Sequence, residues 1–219
     1  MGRSMEEYLV WDWNGTLLDD VDLCITIVDD MLTRRGLPPL TTRERYHQVF
    51  TFPIKTYYEK AGFDFTKEPY EELAEEWTVI YDRLVKTCPL FPETEEALDA
   101  VGALGVRQLI VSASRHDKVT EQVRRAGIFH RLEAVLGIGD VYAHGKEGLA
   151  RQYFAERGIA PEQVLFVGDT LHDAQVAKDM GCGCVLVARG HQGAEQLKAA
   201  KVPILRDLFE VADFLKALE

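Results

Sequence analysis

The chain is poor in the features that mark several large classes of protein. Its 219 residues contain four cysteines, at positions 24, 88, 182 and 184, and no Cys-x-x-Cys pair. The Cys182-Gly183-Cys184 spacing is too tight for an ordinary structural zinc site, so these are expected to be reduced thiols in a cytoplasmic protein. No apolar run approaches the roughly 18 residues that a membrane helix needs, and the opening MGRSMEEYLVWDW lacks the basic-then-apolar pattern of a secretory signal. It also has Glu6 where a myristoylation start carries Ser or Thr. Positive charge is scarce: 25 Lys and Arg stand against 36 Asp and Glu, a net charge of −11. Such a field repels nucleic-acid backbones and anionic membranes, so neither is expected as a partner. Internal repeats and low-complexity segments are absent as well. What remains, 47% hydrophobic and 28% charged, describes a globular chain with one main core and room for a small accessory domain.

Short apolar runs recur at Tyr8–Trp11, Gln108–Ser112, Ala134–Ile138, Val164–Val167 and Cys184–Val187. Most have amphipathic helical patterns beside them, as in Glu93–Leu104 and Gly148–Arg157. This alternation predicts an α/β fold, a doubly wound parallel sheet whose strands are buried on both faces. Function is then expected at the carboxyl ends of the strands. From about Val21 to Lys86 the rhythm breaks, and only helical patterns appear. Leu73, Trp77, Ile80, Tyr81 and Leu84 form one stripe there. An insertion of this size is a small helical bundle rather than a loop. The expected division is a core of residues 1–19 and 88–219 and a helical domain of residues 20–87.

The strand ends carry the chemistry. The first run leads into Trp11-Asp12-Trp13-Asn14-Gly15-Thr16, the second ends in Ser112, Ala143-His144-Gly145-Lys146 follows the third, and the fourth leads into Gly168-Asp169-Thr170-Leu171-His172-Asp173. Each signal is weak alone, since an Asp there is as readily a helix cap and a Lys a solvated loop residue. Four of them in sequence are specific.

That order resembles the haloacid dehalogenase-like (HAD) superfamily, whose phosphatases carry Asp-x-Asp-Gly-Thr, then Ser or Thr, then Lys, then Gly-Asp-x-x-x-Asp. The resemblance covers nearly the whole chain. It implies a Rossmann-like core with an α-helical cap, most similar to the phosphoglycolate phosphatase branch. It further implies a Mg²⁺-dependent phosphatase acting on a small phosphorylated metabolite, as a monomer or homodimer. By resemblance, Asp12 is the nucleophile that becomes an aspartyl-phosphate. Asp12, Asp169, Asp173 and the main-chain carbonyl of Asn14 hold the metal, an oxygen set that suits Mg²⁺. Ser112, the amide of Ala113 and Lys146 bind the phosphate. Asp173 has an alternative as a helix-start carboxylate, and Thr16 as a purely structural residue.

Asn14 departs from the pattern, which has an acid/base Asp there. An amide keeps the shape but exchanges no proton at neutral pH, and losing that catalysis costs on the order of 10² to 10⁴ in rate. Several outcomes stay open at this point: a slowed phosphatase in which water or a neighbour such as His172 moves the proton, a preference for acyl or phenolic phosphates, or a protein that binds a phosphorylated ligand without efficient turnover. An engineered substitution is a further one.

For the substrate's remaining part, Thr51–Tyr57 is the candidate cap segment. Lys55 is a candidate contact for a second anionic group, with Arg115 and His116 near the cleft mouth, although a solvated surface position suits Lys55 and Arg115 equally. Hinges are expected near Asp19–Val21 and Lys86–Phe91. Two other classes fit less well. A receiver module is about half this length, and a dinucleotide-binding fold needs Gly-x-Gly-x-x-Gly where the chain offers Gly15 alone. Dehalogenase chemistry would leave the halide-binding residues unaccounted for.

Overall fold

The computed structural model describes residues 7–139 and 145–218. The motif tract Ala143-His144 therefore lies outside the described residues, while Gly145 and Lys146 are within them. Six parallel strands make one sheet: β1 (Tyr8–Trp11), β2 (Arg107–Arg115), β3 (Ala134–Ile138), β4 (Val164–Gly168), β5 (Gly183–Val187) and β6 (Ile204–Leu205), in the order β3-β2-β1-β4-β5-β6. The five apolar runs are strands, as their composition predicts. The two-residue β6, at the sheet edge, is too short for any periodicity to betray it.

Alternation along β1 explains how the sheet is covered. Leu9 and Trp11 face one side, Tyr8 and Val10 the other. The first side packs under α5 (Thr94–Ala103), α6 (His116–Arg125) and α10 (Phe209–Lys216). The second packs under α7 (Lys146–Arg157) and α8 (Leu171–Met180), with Tyr153, Phe154 and Met180 filling the space. A short helix, α9 (Ala194–Leu197), follows β5. The central strands β1 and β4 are thus buried on both faces, which is why they read as unbroken apolar runs.

Four helices stand between β1 and α5: α1 (Val21–Arg34), α2 (Arg43–Val49), α3 (Ile54–Ala61) and α4 (Tyr70–Leu84). They form the cap, and no strand interrupts them, as the helical patterning predicts. Leu73 and Tyr81 of the α4 stripe are buried while Trp77, Ile80 and Leu84 pack partly buried against the same cluster. The two chain segments joining cap to sheet run side by side. Leu18 bridges Leu90 in antiparallel fashion, and the Asp19 amide donates to the Pro89 carbonyl at 3.0 Å.

Strand order reverses about β1, with β2 on one side and β4 on the other. At such a switch point the loops leave in opposite directions and open a crevice beyond the carboxyl ends. The loops after β1 and β4 carry Asp12 and Asp169, so the two chemically richest motifs meet at this crevice.

Candidate functional site

β1 delivers Asp12 one residue past its buried end, and its amide donates to the Val167 carbonyl at 2.8 Å. That bond extends the β1–β4 ladder by one step and fixes where the carboxylate emerges. Gly15 then turns the chain with a φ of 71°. A β-carbon there would stand 2.6 Å from His191 Cδ2 and collide with the Asp169 carboxylate, so only glycine fits.

Asp12, Asp169 and Asp173 each offer a carboxylate oxygen, all within 4.8 Å of one another. Burial is the largest influence on all three. It pushes Asp12 up to about 6, helped by the Asp173 charge and opposed by Lys146. It pushes Asp169 up to about 8, helped by Asp12 and Asp173 and opposed by His191. At Asp173 burial is outweighed by Lys146 and Thr170, and the carboxyl is held below its ordinary value. A cluster in which two buried carboxyls resist ionisation is short of positive charge, and a divalent cation with oxygen ligands would supply it. The residues present therefore fit Mg²⁺.

Lys146 is the cationic counterpart. It is 3% exposed, and its Nζ donates to Asp12 Oδ1 at 2.7 Å and to Asp173 Oδ1. Asp173 also works as a helix-start residue: its Oδ2 accepts from the Thr170 amide at 3.0 Å and the Thr170 hydroxyl at 2.7 Å, opening α8. Of the two roles weighed for Asp173, the helix-start role is seen directly in the oxygen that caps α8, while the other oxygen grips Lys146. Thr16 does more than steady its turn, since its hydroxyl donates to Asp169 Oδ1 at 3.0 Å. Ser112 is 1% exposed at a register break in β2, and its Oγ accepts from the Ser114 amide at 3.1 Å. Ser112 and Ala113 line the same cavity as Asp12 and Lys146.

Two expected substrate contacts are not brought to this place. Lys55 turns to the far side of α3, its Nζ 5.5 Å from the Phe65 ring centroid and 5.9 Å from that of Tyr70, and does not line the cavity. The α3 residues that do line it are Ile54, Tyr57 and Tyr58, one helical face away. Arg115 is exposed and paired with Asp117 at 2.8 Å, also off the cavity. The register of its strand shifts between Ser112 and Arg115. His116 does not line the cavity either, whereas His172 does. Burial holds the His172 imidazole below its ordinary pKa, and it stacks on Phe52 at 4.7 Å.

Asn14 is held from three directions. Its Nδ2 donates to Asp20 Oδ2 at 2.8 Å and lies 2.5 Å from the Tyr81 hydroxyl, and its Oδ1 accepts from Ser114 Oγ at 3.1 Å. Tyr81 in turn donates to Asp20 at 2.6 Å. Asp20 faces His191, Nε2 to Oδ1 at 3.5 Å, while Tyr46 meets His191 Nδ1 at 2.8 Å. Burial works against both charges of the Asp20–His191 pair. The pairing prevails, holding Asp20 below its ordinary value and pushing His191 up to about 9. Sequence reasoning missed Asp20, Tyr81, Ser114, Tyr46 and His191. For His191 a signal existed: Gly190-His191-Gln192-Gly193 follows a strand end on the functional edge of the sheet. Tyr81 lay within a stripe that reads as core, and nothing local set it apart.

The cavity roofed by the cap has a volume of about 340 Å³. Eight of its lining residues are Tyr, Phe or Trp, all from the cap segment. Among the described residues lining it, Lys146 is the one Lys or Arg.

Comparison with known proteins places this geometry in context. The haloacid dehalogenase-like hydrolase family matches residues 9–187. A phosphoglycolate phosphatase of Salmonella typhimurium is 31% identical over 150 residues, covering 68% of this chain and 55% of the relative, so the match spans about half of that relative's length. One from Neisseria gonorrhoeae is 28% identical over 190 residues, 84% of this chain and 80% of the relative. A haloacid dehalogenase-like hydrolase of Streptococcus pneumoniae superposes with a TM-score of 0.82 at 18% identity, covering 95% of this chain and 97% of that one, which is a likeness of fold. Among the described residues, no helix is long and apolar enough to cross a membrane.

Proposed function

Because the chain belongs to the haloacid dehalogenase-like hydrolases, we propose that it is a Mg²⁺-dependent phosphatase that hydrolyses a small phosphate monoester through an aspartyl-phosphate on Asp12. The observation that carries this is the Lys146 ammonium lodged between Asp12 and Asp173, with Asp169 beside them at the same crevice. Lys146 fixes Asp12 Oδ1 and leaves Oδ2 to form the bond to phosphorus. As that bond forms, the bond from phosphorus to the ester oxygen breaks and the ester oxygen leaves with the electron pair. In the second step water attacks phosphorus, the bond to Asp12 breaks, and inorganic phosphate departs while the water's proton passes to solvent. The Ser112 hydroxyl and Ala113 amide would bind the non-bridging oxygens, where negative charge must be balanced throughout. Asp12, Asp169, Asp173 and the Asn14 carbonyl would hold Mg²⁺, which when bound supplies the positive charge that lets a carboxylate approach a phosphate.

Asn14 favours a second reading, a protein of this fold that binds a phosphorylated ligand with little turnover. Its amide neither gives nor takes the proton that each step moves. One assay separates the two. Mg²⁺-dependent phosphate release from p-nitrophenyl phosphate is expected for the native chain, and Asp12→Asn is expected to lower it by on the order of 10⁴-fold or more. Release that survives Asp12→Asn, or that is unaffected by chelation of the metal, excludes the mechanism. Accumulation of a phosphorylated chain by intact mass without phosphate release supports the second reading.

A further inference from the structure

Resting on the phosphatase reading, we infer that the part of the substrate beyond the phosphate is an uncharged aromatic ring bearing one hydrogen-bonding substituent, an aryl phosphate rather than a phosphorylated carboxylic acid such as phosphoglycolate. Three independent observations meet in this assignment.

The first is the charge of the roof. A carboxylate on the substrate must find a cation when the cap excludes water, or it remains unpaired in a poorly solvating cavity. Among the described residues lining the cavity, Lys146 is the single Lys or Arg, and it is already committed to Asp12 and Asp173. His191 is committed to Asp20, and the His172 ring stacks on Phe52. Lys55, the residue suited by type to a second anion, is spent on the Phe65 and Tyr70 rings. Asp20 adds a negative charge to the same lining.

The second is the shape and surface of the roof. Phe50, Tyr57, Tyr58, Tyr70 and Trp77 present ring faces and edges around a volume that suits a small ring joined to a phosphate. Among the described residues of this lining, one fully buried side-chain polar atom lacks a partner. The Tyr57 hydroxyl is buried, its residue 4% exposed, and it has no hydrogen-bond partner among the described residues. Burial holds its pKa well above the ordinary value, so it stays a neutral hydroxyl that satisfies a neutral polar group.

The third is the chemistry at position 14. An alcohol leaves as a strongly basic alkoxide and needs a proton in the transition state. A phenol ionises at about 10, as tyrosine does, far more readily than an aliphatic alcohol. When the bond from phosphorus to the ring oxygen breaks, that oxygen keeps the electron pair as a phenoxide and takes its proton from water afterwards. Asn14 suffices for this first step. Hydrolysis of the aspartyl-phosphate still lacks a base and becomes the slow step for every substrate.

The test uses the full chain with Mg²⁺. In calorimetry, benzylphosphonate is expected to bind about 10-fold more tightly than phosphonoacetate, both being inert to hydrolysis. Equal or tighter binding of phosphonoacetate overturns the inference. In turnover, phenyl phosphate is expected to exceed phosphoglycolate in kcat/KM by at least about 10-fold, with a burst of phenol close to one equivalent of enzyme. A higher kcat/KM for phosphoglycolate overturns the inference while leaving the phosphatase reading intact. Binding of benzylphosphonate with no hydrolysis of any ester has the converse meaning. Tyr57→Phe, which keeps the ring and its packing, is expected to lower kcat/KM about fivefold more for 4-hydroxyphenyl phosphate than for phenyl phosphate. Equal effects on the two substrates remove Tyr57 from the assignment.

Discussion

The floor and the roof of the cavity are built on opposite principles. The floor is charged and held by short bonds: Asp12, Asp169, Asp173 and Lys146 stand at strand ends and helix starts, each fixed by at least one hydrogen bond to its neighbours. The roof is aromatic, contributed by helix faces and the loop between α2 and α3, and the buried Tyr57 hydroxyl in it has no partner among the described residues. A floor of this kind acts on what all phosphate esters share. A roof of this kind sorts them by what they do not share.

Substitutions can break that division. The largest effect is expected from Lys146→Met, which leaves Asp12 and Asp173 facing each other without their cation. Turnover of all substrates should fall together by on the order of 10³-fold. The metal-free chain should lose on the order of 3 kcal/mol by urea denaturation. A substrate-selective loss would mean that the lysine belongs to recognition rather than to the common floor.

Asn14→Asp tests the seam between the two. It restores a proton-exchanging group and is expected to raise kcat/KM for benzyl phosphate, an alkyl ester, by on the order of 10²-fold. Phenyl phosphate should gain much less, because its leaving oxygen needs no acid, and the phenol burst should shrink as the second step quickens. The new carboxylate would face Asp20 where the amide now donates at 2.8 Å, so a fall in stability of about 1–3 kcal/mol should accompany the gain. Equal gains for both esters would contradict the roles assigned to Asn14.

Trp77→Ala opens the roof where its ring stacks on Tyr81 at 4.6 Å. The KM for phenyl phosphate should rise about 10-fold, with kcat nearly unchanged. The smallest effect is expected from Lys55→Ala. Its ammonium sits over the Phe65 and Tyr70 rings and does not itself line the cavity, so kcat/KM should change by less than about twofold for any substrate. A loss confined to phosphoglycolate would return that lysine to the site.

The same division explains what the amino-acid order makes legible. The floor is written locally. A buried strand is an apolar run, and a chemical residue just beyond it must emerge at the sheet's edge, so Asp12, Ser112 and Asp169 can be placed without coordinates. The roof is written in distances between helices. Tyr57 and Tyr81 share the spacing of ordinary core residues, and only the packing of α3 and α4 reveals that they face a cavity. Lys55 misled for the same reason, since a rotation of one helical step separates a residue that lines the cavity from one that does not. His191 comes from the loop after β5 to meet Asp20 from the loop after β1, a pairing across 171 positions that no local pattern encodes.

The antiparallel bridge between Leu18 and Leu90 has a consequence for how such a molecule can change over time. Because Asp19 and Pro89 lie one hydrogen bond apart, the chain leaves and re-enters the core at one place, and the cap's other ties to the core are side-chain contacts such as Tyr46 with His191 and Tyr81 with Asn14. The cost of closing an intervening loop grows only slowly with its length. The junction itself therefore tolerates a change in the cap's length, while those side-chain contacts limit which helices can sit over this floor.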